Sequence, residues 1–186
     1  DRSVRGYLRF GWLTQPMWSK ISRALMQFSG DAHHAHLLGV HAHAISEVGS
    51  IKLDQPVPLV PEEQSHQVMA WKNKRPLVCL MSSHPEDDAL FMRWAHQEPH
   101  IALLIVPRHP VRGADIRHTA VAAGLTACQM SQKLDPGTQL LIGDTFGHMG
   151  AYISQSDVIV IGGSFSGKGG QNPIEPARLK KPLVAG

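Results

Sequence analysis

Four short apolar runs recur from residue 76 onward: 76–81 (PLVCLM), 101–106 (IALLIV), 139–142 (QLLI) and 158–161 (VIVI). None alternates between apolar and polar positions. A strand with one face in water shows that alternation, so these read as strands buried on both faces. Helical signals lie between them: 86–96, with Leu90, Phe91, Trp94 and Ala95 on one side; 111–123, closed by Gly124; 147–155; and 173–179. Residues 126–130 and 183–185 read as further short strands. Strands separated by helices predict an α/β fold, a Rossmann-like parallel sheet flanked by helices. Ligands of such sheets sit beyond the carboxyl ends of the strands. Those ends carry Ser82, Ser83 and His84; Pro107, Arg108 and His109; Gly143, Asp144 and Thr145; and Gly162, Gly163 and Ser164. Polar, basic and glycine-rich residues from separate loops are therefore expected on one edge.

The front of the chain is less regular. Residues 1–28 read as a helix or two interrupted by Pro16, 31–38 as a short helix stopped by Gly39, and 40–52 as a segment holding a strand. Residues 54–61 (DQPVPLVP) form a proline-rich connector, the best boundary in the chain, and 62–72 reads as helical. Two parts are expected, 1–55 and 56–186. The last strand ends at the C-terminus, where a doubly wound sheet normally continues into a helix. We therefore expect a fragment, cut at both ends.

Charge separates the same two regions. Residues 1–28 hold Arg2, Arg5, Arg9, Lys20 and Arg23 against Asp1, a balance of +4, within a total of +3 for the whole chain. Tyr7, Phe10, Trp12 and Trp18 lie in the same stretch. One reading is a solvated helix with Trp in the core. Another is a surface for anionic lipid head groups. Nucleic acid is not an expected partner, because the excess is small and no recognition motif accompanies it. Composition, 42% hydrophobic and 18% charged, excludes disorder and low-complexity classes. Cys79 and Cys128 cannot build a disulfide framework and fit buried thiols in a reducing compartment. No apolar run approaches roughly 18 residues, and no charged-then-apolar leader opens the chain, so neither a membrane span nor a signal peptide is expected.

Several motifs carry candidate chemistry. Residues 162–168 (GGSFSGK) match the first seven positions of a P-loop, but Gly169 stands where Ser or Thr should hold magnesium. A nucleoside triphosphatase is therefore rejected. What remains is a glycine-rich loop whose backbone N–H groups are expected to be free for an anion. In the following QNPIEP, Asn172 suits a helix N-cap, Pro173 the first helical position and Glu175 the third. Glu175 either reaches back to the Asn172 N–H in a capping box or faces a ligand and accepts hydrogen bonds from ribose hydroxyls. Arg108, directly after a buried strand, presents a fork of donors suited to phosphate or carboxylate, or else makes a surface salt bridge. Glu86, Asp87 and Asp88 complement the start of their helix but would repel an anion unless they point away. The histidine group of His33, His34, His36, His41 and His43 lacks zinc spacing, so no metal site is expected. Asp144 would hold a cation or cap the next turn.

Taken together, these segments resemble the donor-binding half of bacterial 3-deoxy-D-manno-octulosonic acid (Kdo) transferases. Residues 143–186 (GDTFGHMG…GGSFSGKGGQNPIEPARLKKPLVAG) carry the most specific likeness. SSHPEDD resembles the family's serine–threonine–histidine loop, PRHPVR its proline–arginine–histidine–proline loop, VGSIKLDQP its interdomain segment and RSVRGY a stretch late in its amino-terminal domain. Gln171 stands where the family usually has His, and Gly147, His148 and Met149 replace Gly–Glu–Leu.

The resemblance implies a GT-B glycosyltransferase of lipopolysaccharide core synthesis. Residues 1–55 would be the end of the acceptor domain and linker, and 56–186 the donor domain. It implies CMP-Kdo as donor, a lipid A precursor as acceptor, inversion at the anomeric carbon, and neither a cofactor nor a metal in the donor site. Arg108 would bind the donor phosphate. Glu175 would hold the ribose, with Asn172 and the Gly162, Gly163 and Ser164 loop alongside; Ser83 and Phe146 would border the nucleotide. Lys168 is a candidate additional cation. The family's general base is a glutamate early in the amino-terminal domain, a stretch not in this sequence. No catalytic residue is therefore assigned, and the fragment alone is expected to be inactive. The basic aromatic stretch would dock the enzyme on the cytoplasmic face of the bacterial inner membrane, this fragment itself being soluble. Another GT-B enzyme using a UDP-sugar, or a non-catalytic nucleotide-binding module, are the alternatives.

Overall fold

A computed structural model describes residues 2–54, 56–167 and 169–186. The chain divides between residues 55 and 56 into two compact units, a division that falls inside the proline-rich 54–61 segment.

The first unit contains helices α1 (Arg2–Arg9) and α2 (Gly11–Trp18), strand β1 (Ala24–Met26), helix α3 (Ser29–Leu38) and strand β2 (Ile45–Glu47). β1 and β2 pair in parallel, and Ala24, Ala35, Val40 and Ala44 form a small core with Trp18 packed against it. The helix break expected at Pro16 falls instead at Phe10, whose backbone leaves the helical region (φ −113°, ψ 34°). Pro16 sits late in an eight-residue helix, where its missing N–H forfeits a single helical bond. β1 was not expected: Ala-Leu-Met has no strand pattern of its own, and pairing with β2 makes it extended. The two readings of the aromatic stretch divide between its tryptophans. Trp18 packs on the core, whereas Trp12 is 80% exposed.

The second unit follows α4 (Glu62–Lys72) with β3 (Leu77–Ser83), α5 (Pro85–Ala95), β4 (Ala102–Pro107), α6 (Gly113–Ala122), β5 (Ala127–Gln129), β6 (Leu140–Ile142), α7 (Met149–Gln155), β7 (Val158–Ile161), α8 (Ile174–Arg178) and β8 (Leu183–Val184). The strands form one six-stranded sheet in the order β5-β6-β4-β3-β7-β8, every pairing parallel. Successive residues of the central strands feed opposite cores. Cys79, Met81, Leu104 and Val106 meet Trp71 of α4 and Tyr152 of α7, whereas Leu80, Leu103 and Ile105 meet Phe91 of α5 and Ile116 of α6. This double burial is why the strands read as unbroken apolar runs, and it gives the expected α/β class. In α5 the buried stripe runs through Asp87, Asp88, Phe91, Met92 and Ala95, while Leu90 is exposed, a rotation from the expected face.

Both cysteines are buried and unpaired, and burial pushes the Cys79 thiol up to about 12 against a hydrogen bond from Ser156. No helix among the described residues is long and apolar enough to cross a membrane.

Candidate functional site

The connection from β3 leads to β4 on one side, and that from β7 leads to β8 on the other. β3 and β7 are neighbours, so the crevice beyond their carboxyl ends is the topological switch point of the sheet. β3 ends in Ser83, with His84 next, on one side of it, and β7 runs on into Gly162, Gly163 and Ser164 on the other. β4 and β6 lie beside β3 in turn, which brings Arg108 and then Asp144, Thr145 and Phe146 to the same edge.

The two sides are stitched together. A Cβ on Gly162 would stand 2.5 Å from the Ser82 carbonyl oxygen, so only glycine allows this approach. The Gly162 N–H donates to the Met81 carbonyl (2.9 Å), and the Gly163 N–H donates to Asp87 Oδ2 (2.8 Å). Asp87 Oδ2 also accepts the His84 N–H (2.9 Å). The glycine loop therefore does not offer these first two N–H groups to an anion, as the sequence had suggested; the sheet and a buried carboxylate take them. Asp87 points inward, which removes part of the acidic repulsion expected at this helix start. Gly163 holds φ +76°, and the loop returns through the Gly170 N–H to the Gly163 carbonyl (3.2 Å) and the Gln171 N–H to the Gly162 carbonyl (3.0 Å). Gln171 Nε2 lies 3.3 Å from His84 Nε2, bridging the crevice. The Ser164 hydroxyl donates to the Ile161 carbonyl (2.6 Å).

This return path leads straight into α8. That helix starts one residue later than expected, with Pro173 at its N-cap, and Asn172 Oδ1 accepts the Ile174 N–H (3.1 Å). Glu175 thus falls at the second helical position rather than the third. It makes no capping box, and its carboxylate has no hydrogen bond or ion pair among the described residues. It is half-buried, in the first turn of a helix that begins at the strand ends.

Arg108 is exposed, and its guanidinium has no partner among the described residues. Phe146 is 85% exposed on the loop after β6. Ser83 is fully buried; its hydroxyl completes no hydrogen bond of full geometry but lies near enough to Asp88 to favour that residue's charged form. Lys168 lies outside the described residues. Asp144 accepts from Gln129 Nε2 (2.8 Å), the Ser131 N–H (2.9 Å) and the Ser131 hydroxyl, so it ties β5 to β6. At the Gly147, His148 and Met149 departure, Thr145 Oγ1 joins His148 Nδ1 (2.6 Å) to the buried Tyr152 hydroxyl (2.7 Å). Among the described residues no group of three or more His, Cys, Asp or Glu side chains is arranged around a metal position.

Two of the cavities in this unit bear on the strand ends and the sheet face. A cleft of about 470 Å³ runs along the glycine loop past Ser164, Gly170, Gln171 and Pro173. An apolar groove of about 520 Å³ lies on the sheet face formed by Val78, Leu80, Val158 and Val160 and reaches Asp87 and Phe165. We associate ligand chemistry with the polar cleft, because the apolar groove supplies no donors for an anion.

Sequence inspection missed Arg112. It donates from Nη1 to the Ser83 carbonyl (3.0 Å) and from Nη2 to Asp88. Its one sequence signal was a second arginine four residues after Arg108. Burial raises the Asp88 carboxyl above the ordinary range; the Ser83 hydroxyl and Arg112 act to lower it, and Asp87 adds to the rise.

A parallel sheet covered on both faces, with a glycine-lined crevice at its switch point, defines a Rossmann-like α/β domain. Comparisons with known proteins show what the chain is similar to. Residues 1–55 match the family model described as 3-deoxy-D-manno-octulosonic-acid transferase (kdotransferase). The chain is 34% identical to the 3-deoxy-D-manno-octulosonic acid transferase of Bordetella pertussis over 95% of its own length and 44% of that protein. It is 29% identical to the transferase of the same name from Haemophilus influenzae, over 100% of this chain and 45% of that one. Among solved structures, it matches the C-terminal CMP-Kdo binding domain of WaaA from Acinetobacter baumannii with a TM-score of 0.56 and 26% identity, over 66% of this chain and 68% of that one. The chain is thus similar to Kdo transferases over nearly its whole length and spans less than half the length of these two curated relatives.

Proposed function

We propose that residues 56–186 form the donor domain of a GT-B glycosyltransferase that moves Kdo from CMP-Kdo to a lipid A precursor, and that residues 1–55 are the end of its acceptor domain and linker. The observation carrying this reading is the likeness of about two thirds of the chain to a CMP-Kdo binding domain. The crevice chemistry supports it. CMP-Kdo presents a phosphodiester, a ribose and a cytosine. Arg108, exposed and without a partner among the described residues, suits the phosphate. Glu175, with no capping partner, suits the ribose hydroxyls, with Asn172 beside it. Ser164 lines the cleft that follows Gly162 and Gly163, and Phe146 offers an exposed ring to the nucleotide.

In the reaction an acceptor hydroxyl loses its proton and its oxygen attacks the anomeric carbon of Kdo from the side opposite CMP. The bond from that carbon to the phosphate oxygen breaks, and its electron pair leaves with CMP, inverting the centre. Negative charge grows on the departing phosphate, so a cation fixed there beforehand lowers the barrier. Arg108 fills that role; no described residue is assigned as the base. In this reading neither a cofactor nor a donor-site metal takes part.

Titration of the chain with CMP, CMP-Kdo and UDP tests the donor. CMP and CMP-Kdo are expected to bind more tightly than UDP; the reverse order would point to a UDP-sugar enzyme, and no binding of any of the three would remove the donor reading. Glu175→Ala should weaken CMP about tenfold, the worth of one hydrogen bond to a charged group. An unaltered CMP affinity would remove Glu175 from the ribose.

We also propose that α1 and α2 dock on the cytoplasmic face of the inner membrane. Arg2, Arg5 and Arg9 stand on α1, near exposed Tyr7, Phe10 and Trp12. Cations beside amphipathic rings suit an anionic interface. In flotation with anionic liposomes, changing Arg5 and Arg9 to Glu should shift most of the protein to the unbound fraction; equal flotation of both forms would count against docking.

A further inference from the structure

The end of β3 is distorted where the site is built. Ser82 holds φ +56°, in the left-handed region that a non-glycine residue adopts at a cost, and the β3–β4 register shifts between Met81 and Ser83. The shift leaves the Ser83 carbonyl accepting two donors. One is the backbone N–H of Arg108 (3.0 Å), and the other is Arg112 Nη1 (3.0 Å). The second terminal nitrogen of Arg112 engages Asp88 in the first turn of α5. One guanidinium thus clamps the end of β3, the loop after β4 and the start of α5. Arg112 itself is held in a 3-10 turn (Pro110–Arg112), with its N–H on the His109 carbonyl (3.0 Å).

Two arginines four residues apart therefore differ in circumstance. Arg108 points into solvent with no described partner, and Arg112 is committed inward. We propose that Arg112 is the positioning residue for Arg108: by sharing the Ser83 carbonyl with the Arg108 N–H, it holds the loop after β4 in the register that presents the Arg108 guanidinium to a nucleotide phosphate. This rests on the donor reading above. The fork of arginine is needed, because its planar donors reach a carbonyl and a carboxylate at once. A lysine ammonium keeps the charge beside Asp88 but has no such fixed geometry.

The test compares CMP with cytidine, which lacks the phosphate, on the full 186-residue chain. Arg112→Lys is expected to weaken CMP about tenfold, the worth of one charge-assisted hydrogen bond, while cytidine changes less than about twofold. Equal losses for CMP and cytidine would mean a merely structural role and overturn the proposal, as would no loss for either. If Arg112→Lys does not fold, the same comparison is made with Asp88→Asn, which frees one arm of Arg112 and should lower CMP affinity selectively but less; equal losses, or none, overturn it there too. Arg108→Ala, run in parallel, separates the layers. If it leaves CMP affinity untouched, the donor reading itself fails. If it lowers CMP affinity while Arg112→Lys does not, only the positioning role fails.

Discussion

Replacing Arg108 with alanine is expected to raise the Kd for CMP about 100-fold while leaving the fold intact. The side chain is exposed and bonds to no described residue, so its removal uncovers no buried group. Its backbone N–H, which donates to the Ser83 carbonyl, is retained. What is lost is a forked pair of charge-assisted hydrogen bonds to phosphate, together about 3 kcal/mol, or two powers of ten in Kd. Arg108→Lys should recover only part, since a point charge attracts phosphate without matching its geometry. Calorimetric titration at low and high salt checks both points. The gap between wild type and Arg108→Ala should narrow as salt screens the exposed charge. Identical Kd values would remove Arg108 from the phosphate site.

The second large effect is on stability. Gly162→Ala should destabilise the second unit by about 2–3 kcal/mol and abolish binding of cytidine as well as CMP. The added methyl would stand 2.5 Å from the Ser82 carbonyl oxygen and 2.7 Å from the Met81 carbonyl oxygen. Both obstacles are backbone of the neighbouring strand, which no rotamer change can move aside. β7 would have to separate from β3 at the switch point, weakening the Gly162 N–H bond to Met81 and the Gly163 N–H bond to Asp87. Gly163→Ala is the informative contrast. There a Cβ meets only the His84 and Gln171 side chains, at 3.5 Å and beyond, so the penalty is backbone strain at φ +76°, about 1 kcal/mol. Thermal melting of the two variants side by side should show the larger drop for Gly162→Ala; equal melting temperatures would contradict the close approach.

The residues of the crevice were legible in the sequence to different depths. Glu175 was open between a helix cap and a ligand contact; a one-residue shift in the start of α8 removed the cap, because its geometry depends on Glu175 standing third. The glycine loop was recognised, but the partners of its first N–H groups were not. Asp87 and Gly163 are 76 residues apart, and nothing local says that α5 and the loop after β7 meet. The acids at the start of α5 repel an anion only if they face it, and the sequence does not say which way they point. In the structure Asp87 turns to backbone N–H groups and Asp88 to Arg112.

By itself the sequence determined the parallel sheet and its helices. Burial on both faces writes unbroken apolar runs, and helix caps and breaks are set by residues within a few positions of one another. It determined too which residue types stand at the strand ends, since those follow directly where each run stops. The break at Phe10, the strand β1, the inward turn of Asp87 and Asp88, and the grip of Arg112 on the Ser83 carbonyl were decided only in three dimensions. Each depends on a partner from another element, and a hydrogen bond or a packed contact between elements leaves no periodic trace in either of the segments that form it.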